Sequence, residues 1–254
     1  MNRIDKTFQA LNKTQTTAMI GYSVIGDPNR NTSLAIIRQM IKNGCDMIEL
    51  SLPFSDPIAL SEDLQKANAR ALKNHMTTLA AMACIKEIRE DTKIPLILNV
   101  YYNQVFRYGI EEFIKQASDS GIDGIFIVDL PIEHQHVVKE ITKKYNIYVL
   151  LSVTSGSLKR IKEIVGKAQG FLYCAARTEE LPQFIELLDK ETTLPKVISL
   201  NQEDIVNFKS ENLFVNGIKI EDMIVKEVPR LLETSATLEE LGQAIKKMSH
   251  LLHQ

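Results

Sequence analysis

The chain has 254 residues, 44% hydrophobic and 24% charged, and its 30 Lys and Arg against 32 Asp and Glu leave a net charge of −2. With only 11 glycines and 8 prolines, this composition excludes a disordered, collagen-like or low-complexity chain. At this length a fold buries about 70–75% of the unfolded surface, enough for one core without disulfides or metal staples. Near-neutral charge gives no electrostatic reason to expect nucleic acid or an anionic membrane as a partner.

From the N-terminus, residues 1–13 read as a short amphipathic helix with Ile4, Phe8 and Leu11 on one side, lacking the apolar stretch of a secretory signal. Short apolar runs then alternate with helix-period stretches to the end of the chain. Strands are expected at Met19–Ile25, Asp46–Leu50, Leu96–Val100, Gly124–Val128, Tyr148–Ser152, Gly170–Cys174, Lys196–Ser199 and Leu213–Val215. Helices are expected between them at Ser33–Lys42, Asp63–Leu72, Thr78–Arg89, Glu111–Ser118, His134–Lys144, Leu158–Lys167, Glu180–Lys190, Gln202–Phe208 and Leu238–Leu252. Several strands are rich in Ile, Val and Leu with little polar alternation, as in a parallel sheet buried on both faces.

Strand–helix units recurring at roughly 30 residues fit a single (β/α)8 barrel over residues 1–254, with an extra N-terminal helix, since about 250 residues is the usual barrel length. A doubly wound open sheet has the same local pattern; the length and the absence of a linker favour the barrel. No run approaches the roughly 18 consecutive apolar residues of a membrane span, so a cytoplasmic location is expected. Cys45, Cys84 and Cys174 are odd in number and lie in apolar contexts, which points to core thiols rather than a disulfide set. His75, His134, His136, His250 and His253 make no metal-ligand pattern. Ser55 lacks a nucleophile-elbow context and Gly21 with Gly26 makes no dinucleotide fingerprint.

In a barrel, function sits in the loops at the C-terminal ends of the strands. The most informative segment is Met47-Ile48-Glu49-Leu50-Ser51-Leu52-Pro53-Phe54-Ser55-Asp56-Pro57. Period-two alternation puts Met47, Glu49 and Ser51 on one face and Ile48, Leu50 and Leu52 on the other. A carboxylate flanked by apolar residues there is either desolvated for acid–base work or a structural glutamate held by a nearby base or backbone donor. The Pro53–Pro57 loop is stiff and carries an aromatic ring, which suits either a tight turn or a rigid docking surface.

Ile48–Leu72, IELSLPFSDPIALSEDLQKANARAL, resembles the signature IELGxPFSDPxADGPxIQxAxxRAL of the α subunit of tryptophan synthase. The resemblance extends to Tyr22, Gly26-Asp27-Pro28, Tyr102-Asn103, Asp129-Leu130-Pro131 and Gly170-Phe171-Leu172-Tyr173, in that order along nearly the whole chain. It implies retro-aldol cleavage of indole-3-glycerol phosphate to indole and glyceraldehyde 3-phosphate, with Glu49 as the group that handles the proton at indole carbon 3. It places Tyr22, Tyr102 and Tyr173 against the substrate, and aligns the phosphate-binding Gly-Ser pair with Asn216-Gly217, followed by Ile218-Lys219. It implies docking to a β subunit that carries pyridoxal phosphate, in an αββα heterotetramer, through Pro53, Phe54, Asp56, Pro57, Asn103 and Pro131. No cofactor is implied on this chain.

The sequence also departs from that pattern. Leu60 stands where the second catalytic carboxylate belongs, and Glu62 and Asp63 are the neighbouring replacement candidates, both at an expected helix start where the dipole favours acids. The strand-six lid is Arg177-Thr178-Glu179-Glu180, without glycine, and the strand-seven element is Val197-Ile198-Ser199-Leu200-Asn201. Lys219 is read either as a solvated lysine or as a cation for phosphate. The resemblance with these departures implies a subunit that binds and activates its partner while its own cleavage is weak or lost. The alternative is an active lyase using Glu49 with Glu62 or Asp63.

Overall fold

The computed structural model describes residues 1–58, 60–201, 204–205, 214–233 and 237–253. The apolar runs form parallel strands β1 (Ala18–Val24), β2 (Met47–Ser51), β3 (Leu96–Val100), β4 (Gly124–Ile127), β5 (Tyr148–Val149), β6 (Leu151–Thr154), β7 (Leu172–Ala175), β8 (Lys196–Leu200) and β9 (Gly217–Ile220). Their order in the sheet is β5-β4-β3-β2-β1-β9-β8-β7-β6. The two ends of that order, β5 and β6, flank Leu150, whose N–H donates to the Ile125 carbonyl at 2.9 Å. They are thus two segments of one barrel strand, the sheet comes round on itself, and the expected (β/α)8 barrel is the fold.

The helices are α1 (Arg3–Lys13), α2 (Arg30–Lys42), α3 (Glu62–Lys73), α4 (Thr78–Asp91), α5 (Tyr102–Tyr108), α6 (Ile110–Asp119), α7 (His136–Lys144), α8 (Leu158–Val165), α9 (Leu181–Glu191), α10 (Asp222–Glu233) and α11 (Leu238–His253). Asn29, Ser61, Thr77 and Ser157 start α2, α3, α4 and α8 by accepting a first-turn N–H, which satisfies a donor the helix itself leaves unpaired.

Strand alternation divides the apolar side chains into two groups. Ile48, Leu50 and Leu52 point outward and pack with the helices, whereas Met47 points inward with Ile20, Ile97, Leu150, Phe171 and Val197. The amphipathic stripe of α1 closes the lower end of this interior with Ile4 and Phe8. The plug is pinned by Asn2, whose Nδ2 donates to the Asp123 carbonyl at 2.8 Å, and by Arg3, which meets the Asp123 carboxylate at 2.9 Å.

Four readings of the sequence are corrected or extended. The last strand is Gly217–Ile220 rather than Leu213–Val215; Leu213 is outside the described residues, and Phe214-Val215 precedes the strand. Lys219 in the middle of the strand defeats a search for apolar runs. The segment Tyr102–Tyr108, expected as loop, forms α5, and α10 was not expected because Pro229 interrupts its helical pattern. Of the helix expected at Gln202–Phe208, only Asp204 and Ile205 are described, and both are helical.

Candidate active site

Strand β2 holds Glu49 in register between Tyr22 on β1 and Ile97 on β3. The barrel encloses the side chain completely, with 0% of it exposed. A carboxylate there requires donors, because burial without them is strongly unfavourable. Asn99 Nδ2 donates to Oε1 at 2.7 Å, and the Tyr173 hydroxyl donates to Oε2. Lys219 Nζ, arriving from β9, lies 3.3 Å from Oε1 and 2.7 Å from Glu221.

Burial alone would drive the Lys219 ammonium toward the neutral form. Glu49 and Glu221 outweigh it and hold the pKa above the ordinary lysine value. At 3.3 Å the attraction to Glu49 is about 5 kcal/mol at an effective dielectric of about 20. Desolvation opposes it by several kcal/mol per ion, so the bonds from Asn99 and Tyr173 are needed for the pair to persist. The ammonium also sits 4.9 Å from the Tyr173 ring centre and 5.5 Å from that of Tyr22. Burial first, and the Glu49 charge next, push the Tyr173 hydroxyl above the usual tyrosine range. Burial likewise raises Tyr22, against a hydrogen bond with Ser51.

Of this cluster, Tyr173, Lys219 and Glu221 line a cavity of ≈ 570 Å³, whose walls also include Phe126, Ser199 and Asn201, whereas Glu49, Asn99 and Tyr22 lie behind that wall. Lys219 is not the solvated lysine that was one of its two readings: it is 5% exposed and engaged with two carboxylates. A lysine between two β-branched residues in Gly217-Ile218-Lys219-Ile220 is the signal that could have located it, because a charge at an inward strand position needs a buried counter-charge. Asn99, on the neighbouring strand, carried no comparable signal.

Asn216 and Gly217 lie at the other end of the barrel. Asn216 Oδ1 accepts from the Lys196 N–H at 2.9 Å, its carbonyl accepts from Ala18, and its Nδ2 donates to Asn12 of α1 at 3.3 Å. This is the end where strands begin, so the alignment of these two residues with a phosphate site at the mouth is corrected by the shift of the last strand. The residues that follow β9 at the mouth are Glu221 and Asp222, the latter opening α10.

Glu62 and Asp63 occupy the first turn of α3. The Glu62 side chain is 81% exposed and its carboxylate meets Lys66 at 2.7 Å, a bond that holds its pKa below the usual glutamate value. Neither residue lines the cavity. Leu60 is half-buried and packs on the outer core. Tyr102 also stands away from the cavity, with its ring 6.0 Å from Phe106.

The loops after β2, β3 and β4 interlock. Phe54 stacks on Tyr101 at 4.7 Å, and its N–H donates to Asn68 of α3 at 2.9 Å. Gln104 Nε2 donates to the Pro53 carbonyl at 3.0 Å, the Tyr101 hydroxyl to the Ile58 carbonyl at 3.2 Å, and the Tyr102 N–H to Asp129 at 2.6 Å. Asp56, Asn103 and Pro131 are exposed on this rim, whereas Pro53 is buried beneath it and Phe54 and Pro57 are half-buried. Arg160 of α8 pairs with Glu133 beside it, which lowers the Glu133 pKa to about 2. Among the described residues no group of three or more His, Cys, Asp and Glu side chains could hold a metal ion, and no helix is long and apolar enough to cross a membrane.

A parallel (β/α)8 barrel with a buried glutamate on its second strand and a cavity above it defines a class of barrel proteins built to work on a small molecule at the strand C-termini. The family model for the tryptophan synthase alpha chain matches residues 8–251. The tryptophan synthase alpha chain of Thermoanaerobacter sp. (strain X514) is 32% identical over 262 residues, covering 99% of this chain and 100% of that one. That of Clostridium acetobutylicum is 37% identical over 207 residues, covering 78% of this chain and 79% of that one. The crystal structure of tryptophan synthase subunit alpha from Legionella pneumophila str. Paris superposes with a TM-score of 0.91 at 28% identity, covering 99% of this chain and 98% of that one. The chain belongs to the tryptophan synthase alpha chain family.

Proposed function

We propose that this chain docks onto and activates a β subunit carrying pyridoxal phosphate, in a cytoplasmic αββα assembly, while its own cleavage of indole-3-glycerol phosphate is weak or lost. The observation that carries the reading is the contrast between an interlocked rim and a disarmed interior. The loops bearing Pro53, Phe54, Asp56, Pro57, Asn103 and Pro131 are tied together by side chain–backbone bonds and a stacked ring pair. A surface held in one shape before contact loses little entropy on binding.

Leu60 stands where the second carboxylate belongs, and a general acid or base contributes about 10²–10⁴-fold. Glu221 and Asp222 follow the last strand, and the lid segment carries Glu179 and Glu180, the latter tied to Arg177 at 2.6 Å. Carboxylates at that end oppose a phosphate dianion, where a barrel phosphate site presents backbone N–H groups instead. Any substrate is therefore held through the aromatic wall of Phe126 and Tyr173 more than through phosphate. The pyridoxal phosphate belongs to the partner.

The test is to add the chain to saturation with the β subunit and measure two reactions. Tryptophan formation from indole and serine is expected to accelerate. Indole release from indole-3-glycerol phosphate is expected to stay at least about a hundredfold below that of a homologue with both carboxylates. Pro53→Ala and Asp56→Ala are expected to weaken the stimulation, and unchanged stimulation in both variants would refute the docking role.

A further inference from the structure

Both carboxylate oxygens of Glu49 are engaged from within the chain: Oε1 by Asn99 and Lys219, Oε2 by Tyr173. The cation among these partners is built into the barrel wall. Lys219 lies in register with Ser199 on β8 and Ile20 on β1, and its side chain runs inward to the centre. A carboxylate that carries protons to and from a ligand needs a lone pair facing that ligand and must be able to lose its charge. Here three of its roughly four lone-pair sites are taken by donors of the chain itself, and protonating Glu49 would weaken those charge-assisted bonds and leave the buried ammonium paired with Glu221 alone.

We propose that Lys219 is the residue that removes Glu49 from proton transfer, converting an inherited acid–base group into half of an ion pair. The inference rests on the reading of Glu49 as that inherited group. It also implies that restoring a carboxylate at position 60 would not by itself revive the chemistry. Lys219 is accordingly a positioning residue: it acts on a ligand only through the carboxylate it holds.

The experiment uses the full chain alone, with indole as the probe, in deuterated buffer. Exchange at indole carbon 3 requires one protonated carboxyl. The ring's electron pair takes a deuteron from Glu49 to form the new C–D bond, and the carboxylate then accepts the original proton as its C–H bond pair returns to the ring. Proton NMR reads the loss of the carbon 3 signal, and no phosphate or partner is needed. Wild type is expected to exchange indole at the buffer rate.

Lys219→Gln keeps a donor toward Glu49 but removes the charge, and Lys219→Met removes both. The former is expected to accelerate exchange at least about tenfold, below the ordinary range for a general acid–base group because geometry is not rebuilt. The gain should follow the titration of a single group in its pH profile and vanish in the Glu49→Gln, Lys219→Gln double variant. Lys219→Met is expected to do the same; if it does not fold, Lys219→Gln carries the test. A wild-type exchange rate that falls on Glu49→Gln, or a folded Lys219→Gln no faster than wild type, would overturn the proposal. Because the assay contains no β subunit, its outcome is independent of the docking test, and either reading can fail alone.

Discussion

Substituting Arg70 with alanine strips the guanidinium from Asp27, a carboxylate 2% exposed in the loop after β1. Arg70 holds it with two bonds, at 2.6 and 2.8 Å. Burial raises the Asp27 pKa above the ordinary aspartate value, and the two interactions with Arg70 oppose that rise. Removing one partner of a buried ion pair typically destabilises by about 3–5 kcal/mol, because the other charge is left in the interior. The Arg70 side chain is 24% exposed, so water enters the vacated space and the lower end, about 3 kcal/mol, is expected. For a chain of this size that is a fall in melting temperature of about 6–12 °C.

The pH dependence has a definite sign. A folded carboxyl whose pKa is raised binds its proton more readily than the unfolded chain, so stability falls as pH rises from the ordinary aspartate value through the raised one. Without Arg70 the rise is larger and this window widens. The deficit of the variant relative to wild type should therefore be largest near pH 7 and shrink on acidification to about pH 4, the ordinary aspartate range, where a protonated Asp27 no longer needs a counter-ion. Urea unfolding at both pH values measures it. A deficit below about 1 kcal/mol at pH 7, or one that grows on acidification, would refute the reasoning. The same helix carries Asn68, which anchors the Phe54 N–H, so loosening α3 is also expected to lower stimulation of the β subunit.

Phe8→Ala should destabilise by about 3–5 kcal/mol, the usual loss for truncating a buried aromatic, because Phe8 fills the lower end of the barrel against Phe171 at 5.6 Å; a loss under about 1 kcal/mol in urea unfolding would mean that α1 is no plug. Cys45, Cys84 and Cys174 are free and buried, and burial raises all three thiols, Cys174 to about 12. A thiol-specific disulfide reagent at pH 8 should therefore label none of them in the folded chain and all three after unfolding, and rapid labelling of any one before unfolding would contradict the packing.

Much of the barrel is readable because its constraints are local and repetitive. Ile48, Leu50 and Leu52 alternate with Met47, Glu49 and Ser51, and the closed sheet sends the first set to the helices and the second inward, as period two requires. The stripe of Ile4, Phe8 and Leu11 likewise becomes the face of α1 that plugs the barrel. The last strand was misplaced because a charged residue at its centre hides it from a search for apolar runs. That slip of a few residues carried Asn216-Gly217 to the wrong end of the barrel and left Lys219 outside it. The proline at position 229 hid α10 in the same way, since a helix containing one breaks a local rule that the packing of its apolar face overrides.

The sequence left Glu49 open between a group for catalysis and a glutamate held by a nearby base. Those alternatives differ only in what occupies the opposite side of the barrel, and the occupant lies 170 residues further along the chain. Local pattern carries no information at that separation, but charge balance does. A carboxylate at an inward strand position and an ammonium at another inward position of the same closed sheet are each untenable alone, so finding one is a reason to search for the other. On that argument Lys219 and Glu49 identify each other.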